Sequence, residues 1–482
     1  MLQDEILLEI FVFWNQDFCA IEQWHTLVHV CQRWRQIVFA SPYRLHLEIL
    51  CNPGSPVRKY LGIWPDLPII LEYTYMEESI TPNDEDNIIA ALEHPDRVSF
   101  IALDLTCSLW EKIITVMQEP FPELTYLGIT SEGGNAPIFP PKFLGGHVPR
   151  VEELEMEGIP FPALPILLLS ASNLRRLYLS KIPPHSYISP EAMVACLATL
   201  PRLEVFSIEF QSATFHPNRM DPPPITRAVL SALTHLTFRG ASEYLEDLVA
   251  RIDTPWMFNI FIKYFNQFID FQVAQLSKFI SRSIYIKPSR ATHAHITFFS
   301  NEVSFHMYSH WRADGKPSIV GHSNISVLCE GIDWQVSHMA QVLGHFSTVF
   351  PHINYLKLEL QKDYQLEDTD DVEWHLLLHR FSDVQTLHVS QGLAGPLVVA
   401  LEDMLEGMFA ESLPSLDLIY LEGQPASSLE KFVAARQLSD RIVTVVHTKA
   451  EYDERLRSMK RSEGVDRSCI YCELTTVQLR DT

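Results

Sequence analysis

Leu174-Arg175-Arg176-Leu177-Tyr178-Leu179 decides how this chain is read. Its leucines fall at the first, fourth and sixth positions. Successive side chains of a strand point to opposite faces, so Leu177 and Leu179 share one face while Arg176, Tyr178 and Ser180 share the other. One such stretch means little, because apolar triplets are common in β-rich chains. Here the spacing returns nine more times. The copies are Val98-Ile101-Leu103, Leu124-Leu127-Ile129, Val151-Leu154-Met156, Leu203-Phe206-Ile208, Leu233-Leu236-Phe238, Met257-Ile260-Ile262, Ile353-Leu356-Leu358, Val384-Leu387-Val389 and Leu413-Leu416-Leu418. Successive starts among the first seven copies are 26, 27, 23, 29, 30 and 24 residues apart. That interval holds one strand and one return helix, and helix-like runs lie between copies at 190–200 and 244–252. The pattern predicts an α/β fold with an arc of parallel strands and a horseshoe outline. Residues 300–350 carry no good copy and read as an interruption or cap, with a helix over 331–350.

The repeat resembles leucine-rich repeats in spacing and period. The asparagine that such repeats place in the turn is replaced by Glu132, Ile159, Ile182, Gln211, Ala241 and Phe265, so the solenoid is expected to be irregular.

At the N-terminus, Ile6, Leu7, Ile10, Phe11 and Trp14 line one face of a helix over 4–14, which Asp4 and Glu5 suit at its positive end. Leu27, Val30, Cys31, Trp34 and Val38 line a second helix, which Ser41-Pro42 should end. So small a helical unit leaves apolar surface for a partner or for the rest of the chain.

Leu2-Gln3-Asp4-Glu5-Ile6-Leu7-Leu8-Glu9-Ile10-Phe11, followed by Leu27-Val28-His29-Val30-Cys31-Gln32-Arg33-Trp34-Arg35, resembles the F-box in order and spacing. The resemblance spans residues 2–47, and 24–64 further resembles the expanded F-box families of mushroom-forming fungi. It implies a three-helix module that docks on a Skp-type adaptor and, through it, on a cullin scaffold. The implied adaptor-binding residues are Leu2, Ile6, Leu7, Ile10, Phe11, Leu27, Val30, Cys31 and Trp34. The family's usual proline after the first leucine is Gln3. A second reading therefore stays open: an interaction scaffold whose F-box has drifted and does not engage the ligase.

The expected organisation is an F-box over 1–49, a connecting segment over 50–95, an irregular leucine-rich-repeat-like solenoid over 96–425 and a charged tail over 426–482. Composition narrows the function. Among 482 residues, 47% hydrophobic and 20% charged is a globular balance, and 60 acids against 37 Lys and Arg give a formal charge of -23. That charge repels a phosphate backbone, so nucleic acid is not expected as a partner. No apolar run reaches the roughly 18 residues of a membrane span. Eight scattered cysteines and no basic-then-apolar leader are expected of a reduced protein of the cytoplasm or nucleus.

No nucleophile elbow, phosphate-binding loop or dinucleotide fingerprint occurs, and no enzyme activity or cofactor is expected. His25-x-x-x-His29 and Cys469-x-x-Cys472 have metal-like spacing but lack the further ligands a zinc site needs, and no metal is expected. The F-box resemblance instead implies a receptor that brings an unidentified protein substrate to a ubiquitin ligase. Strand alternation offers Tyr126, Glu155, Arg176, Tyr178, Arg239 and Phe261 as substrate contacts on the open sheet face.

Overall fold

The computed structural model describes residues 3–16, 24–42, 44–74, 80–132, 136–212, 226–265, 274–283, 292–308, 322–346, 353–361, 364, 372–406, 413–423 and 426–447. The chain forms two compact units, Met1–Gln211 and Ser212–Thr482. Among the described residues no helix is long and apolar enough to cross a membrane.

The first unit opens with helices α1 (Asp4–Gln16), α2 (Trp24–Val30) and α3 (Gln32–Phe39). The Gln3 carbonyl accepts the first helical hydrogen bond, from the Leu7 amide. The single helix expected through Leu27–Val38 is two helices, because Cys31 is extended (φ −160°, ψ 169°) and its carbonyl starts α3 by accepting from the Arg35 amide. An apolar stripe at helical spacing is blind to such a break, since α2 and α3 contribute to one core. Ion pairs Arg33–Asp4 and Arg44–Glu9 tie the ends of this bundle to α1.

The rest of the unit alternates strands and helices: β1 (Ile49–Cys51), α4 (Val57–Ile63), β2 (Ile69–Tyr73), α5 (Pro82–Leu92), β3 (Val98–Thr106), α6 (Cys107–Val116), β4 (Tyr126–Glu132), β5 (Glu153–Glu157), α7 (Leu164–Leu168), β6 (Arg176–Ile182), α8 (Pro190–Leu197) and β7 (Val205–Phe210). Strands β1 to β7 lie side by side in chain order and every pair is parallel. The segment read as a connector thus supplies two strands. Thr81 and Asp84 start α5 with reciprocal side-chain to backbone bonds, satisfying amides that the helix cannot.

The second unit contains β8 (Ala228–Val229), β9 (His235–Gly240), α9 (Ser242–Arg251), β10 (Ile252–Asp253), β11 (Asn259–Tyr264), α10 (Ala274–Arg282), β12 (His293–Phe298), β13 (Glu302–Tyr308), β14 (His322–Leu328), α11 (Ile332–Gly344), β15 (Tyr355–Leu360), α12 (Trp374–Leu378), β16 (Thr386–Val389), α13 (Gln391–Glu406), β17 (Leu418–Leu421), α14 (Glu430–Leu438) and β18 (Thr444–Val446). Its main sheet runs β9-β11-β14-β13-β12-β15-β16-β17-β18. Here the expectation of parallel strands throughout needs correcting. Strand β13 is antiparallel to both β12 and β14, and residues 300–350, read as an interruption or cap, contribute two strands and α11 instead. The sheet also continues past 425, since β18 pairs with β17.

All ten predicted triplets are buried. Nine occupy equivalent places, with the second and third residues on the helix side. The last is out of step: Leu387 pairs with Ile419 and Val389 with Leu421, so the structural copy is Leu416-Ile419-Leu421 and Leu418 belongs to the other face. There Leu418 packs with Tyr420 and Val446 in a small second core against Tyr355.

Candidate functional site

The structure divides the nine residues implied for adaptor binding. Leu7, Phe11 and Leu27 are interior residues of the helical bundle. Trp34 is half-buried, its ring 4.7 Å from that of Phe11. Ile6, Ile10 and Val30 are 45%, 47% and 59% exposed, and Cys31 is exposed as well. Phe13 at 68% and Trp14 at 50% extend the same apolar surface. Leu2 lies outside the described residues.

The aromatic residues of this segment serve two ends. Trp24 is fully buried, its ring 4.2 Å from Trp64, and its indole donates to the Glu48 carbonyl at 3.3 Å. It anchors the helices to the start of the sheet. His25 lies between Trp24, Trp64 and Tyr60, and burial, with His29 nearby, lowers its pKa to about 4. It is a packing residue in an aromatic stack. Among the described residues no three His, Cys, Asp or Glu side chains are grouped to hold a metal ion; Cys469 and Cys472 lie outside them.

Four of the six predicted substrate contacts meet on the first unit's sheet. Two rows cross the strands in register: Phe100, Tyr126, Glu153, Arg176 and Val205, then Ala102, Gly128, Glu155, Tyr178 and Ser207. The rings of Phe100 and Tyr126 stack at 4.2 Å and 8°. A Cβ at position 128 would lie 2.7 Å from the Tyr126 hydroxyl, so the missing side chain of Gly128 is what admits that ring. The Tyr126 hydroxyl donates to Glu155 Oε2 at 3.1 Å. Arg176 donates to Glu153 through Nε at 2.7 Å and Nη2 at 2.5 Å. Burial raises the Glu155 pKa, against the hydrogen bond from Tyr126 and with the help of Glu153 beside it. Burial likewise raises that of Tyr178, with Glu153 adding to the effect.

Arg239 and Phe261 belong to the second unit, on neighbouring strands β9 and β11. The Arg239 guanidinium lies over the Phe265 ring at 5.7 Å, and Phe261 is 39% exposed. Further along the same face lies a polar row that the repeat spacing does not mark. One row there runs Asn324, His306, His295, Lys357, His388, Tyr420. Glu359 Oε2 accepts from Lys357 Nζ and from His295 Nε2, each at 2.8 Å. Burial opposes ionisation of Glu359, but these two donors outweigh it and hold its pKa at about 2. The Tyr355 hydroxyl lies 3.0 Å from His388 Nδ1, and His388 Nε2 lies 2.9 Å from Glu422 Oε1. Burial lowers the His388 pKa, which fits a neutral ring that accepts from Tyr355 and donates to Glu422. Ser304 bonds His306 Nε2 at 2.8 Å and donates to Asn324 Oδ1 at 3.1 Å.

These polar groups largely satisfy one another, and buried polar networks of this kind hold a unique arrangement when complete. The two sheet faces therefore differ in chemistry. The second unit's carboxylates are matched by lysine and histidine donors, whereas Glu155 in the first unit takes its bond from a neutral hydroxyl. Only the proximity of apolar and acidic residues in strand order was legible beforehand for the first unit. For the second, residues as distant as His295 and His388 become neighbours of Lys357 only through strand pairing. A scan against known protein families finds no match, and no curated protein matches the chain.

Proposed function

We propose that the chain is a substrate-recognition subunit of a Skp-cullin-F-box type ubiquitin ligase, docking through α1 to α3 and binding a protein substrate on its open sheet face. One observation supports this above the others. The N-terminal helices use Leu7, Phe11 and Leu27 for their own core and Trp24 to dock on the start of the sheet, yet leave Ile6, Ile10, Phe13 and Val30 in solvent. Large apolar side chains left in solvent on so small a helical unit are characteristic of a protein-protein contact. They include three of those implied by the F-box resemblance. The role is positional: holding a substrate lysine near a ubiquitin-charged enzyme raises their effective concentration, and the bond chemistry belongs to the partner.

The test is co-expression with a Skp-type adaptor, followed by purification through the adaptor. The chain should be retained stoichiometrically. Ile10→Asp with Val30→Asp should weaken capture about tenfold or more, since charges would be buried at the centre of the contact. Both side chains are exposed, so the far-ultraviolet circular dichroism should not change. Unaltered capture by the folded double variant refutes the docking surface. Trp34→Ala is less informative, because it also removes packing from Phe11.

A further inference from the structure

The first unit's sheet face carries an unbalanced charge. Among the described side chains, strand alternation and pairing put Glu72, Asp104, Glu153, Glu155, Glu157 and Glu209 on the side opposite the helices. Arg176 answers Glu153, and Lys181 answers Glu157. Six carboxylates less two cations leave a net charge of four negatives across six adjacent strands. Aromatic rings lie among them in the same rows: Phe100 stacked on Tyr126, and Tyr178 next to Glu155. Carboxylates beside aromatic faces complement lysine and arginine, whose charge is attracted by both and whose alkyl stem packs on the rings. The whole chain's charge of -23 favours encounter with the same kind of partner.

We propose that this face binds a basic segment of the substrate, with a lysine or arginine seated between Glu155 and Tyr178. The assignment rests on the receptor reading above and specifies what the receptor grips. It accounts for the state of Glu155. Its carboxylate is half-buried, its hydrogen bond comes from the Tyr126 hydroxyl, and the guanidinium of Arg176 is taken up by Glu153. Arg176 lies near enough to favour the charged form of Glu155 but gives its hydrogen bonds to Glu153, and a cation from outside would add a counter-charge bonded to Glu155 itself. The second unit's network offers no such vacancy, since Glu359 and Glu422 already hold Lys357, His295 and His388.

The experiment measures fluorescence anisotropy of a short labelled peptide of alternating lysine and threonine against the full chain. A peptide of alternating glutamate and threonine is the control. The basic peptide should bind saturably and the acidic one should not, and raising the ionic strength should weaken binding. Glu72→Gln with Glu155→Gln should weaken it about tenfold, whereas Glu93→Gln with Glu119→Gln, equal in charge but off the face, should change it by less than about twofold. Tyr178→Ser alone should weaken it severalfold. Equal effects from the two charge pairs would mean attraction by net charge only and would overturn the assignment, as would absence of saturable binding. Adaptor capture measured on the same preparations separates the two readings. Capture without peptide binding refutes the basic-segment site alone, and peptide binding without capture refutes the docking surface alone.

Discussion

Glu246 shows how one residue sets the chain's response to pH. It is 2% exposed on α9, and its two carboxylate oxygens accept from the amides of Gln275 at 2.6 Å and Leu276 at 2.8 Å, at the start of α10. Burial pushes its pKa up to about 7 even though those amides favour the charged form. The folded chain therefore holds this proton more tightly than the unfolded chain. Its contribution to stability is greatest below the ordinary carboxyl range near 4.5 and drains away as pH rises from there to about 7. Glu246→Gln keeps an acceptor for α10 and removes the titration. Thermal melts at several pH values should show the variant gaining on the natural chain as pH rises, and a constant difference would contradict the buried-carboxyl account. Glu359 acts in the opposite sense, since its lowered pKa gives stability that is lost as pH falls from about 4.5 toward about 2. Gly128 makes a different kind of test. Gly128→Ala drives a methyl group against the far end of the Tyr126 side chain, which can swing away, so stability should fall by less than about 1 kcal/mol. The Tyr126 bond to Glu155 should nevertheless be lost, and basic-peptide affinity should change with it.

Within a single strand, neighbours have opposite consequences. Leu177 is fully buried in β6, while Tyr178, one position on, is half-buried on the open face. Leu177→Asp places an unpaired charge among the helix-side residues of β5 and β7 and should cost several kcal/mol, with a fall in thermal midpoint of several degrees. Tyr178→Ser should change the midpoint little. Comparable losses from both would show that the two faces are not chemically distinct. The strands were the legible elements, because a buried period of two leaves its imprint on any sequence; every triplet came out buried. Their limits came from elsewhere. Leu413-Leu416-Leu418 matched the spacing but not the register, since Leu416, Leu418, Ile419 and Leu421 are all apolar and nothing in composition says which face each takes. The second helix reads straight through Cys31 because a turn that keeps both neighbours on one core leaves the apolar spacing unbroken. Strand β13 leaves no mark in the repeat spacing because it pairs antiparallel with both its neighbours.

At the scale of the chain, the acidic charge is legible in the composition, and pairing across strands reveals where it concentrates in the first unit. The N-terminal surface was legible as amphipathic helices but not as two sets, since helical spacing cannot tell a residue that packs inward from one a turn away that stays exposed. Ile10 and Phe11, adjacent in sequence, end on opposite sides of that division.

The position of β14 in its sheet bears on how the chain is made. In the first unit each new strand adds beside the one made just before it, so the sheet can grow as the polypeptide emerges. In the second, β11 ends at residue 264 and pairs with β14, which begins at residue 322, while β12 and β13 are made in between and lie beyond it. At about 5 to 20 residues per second, a ribosome leaves the β11 edge without its partner for roughly 3 to 12 seconds. A bare sheet edge is a template for wrong pairing. The slow step of folding is thus expected at β14, and ribosome pausing or chaperone capture should concentrate on chains that end between 264 and 328.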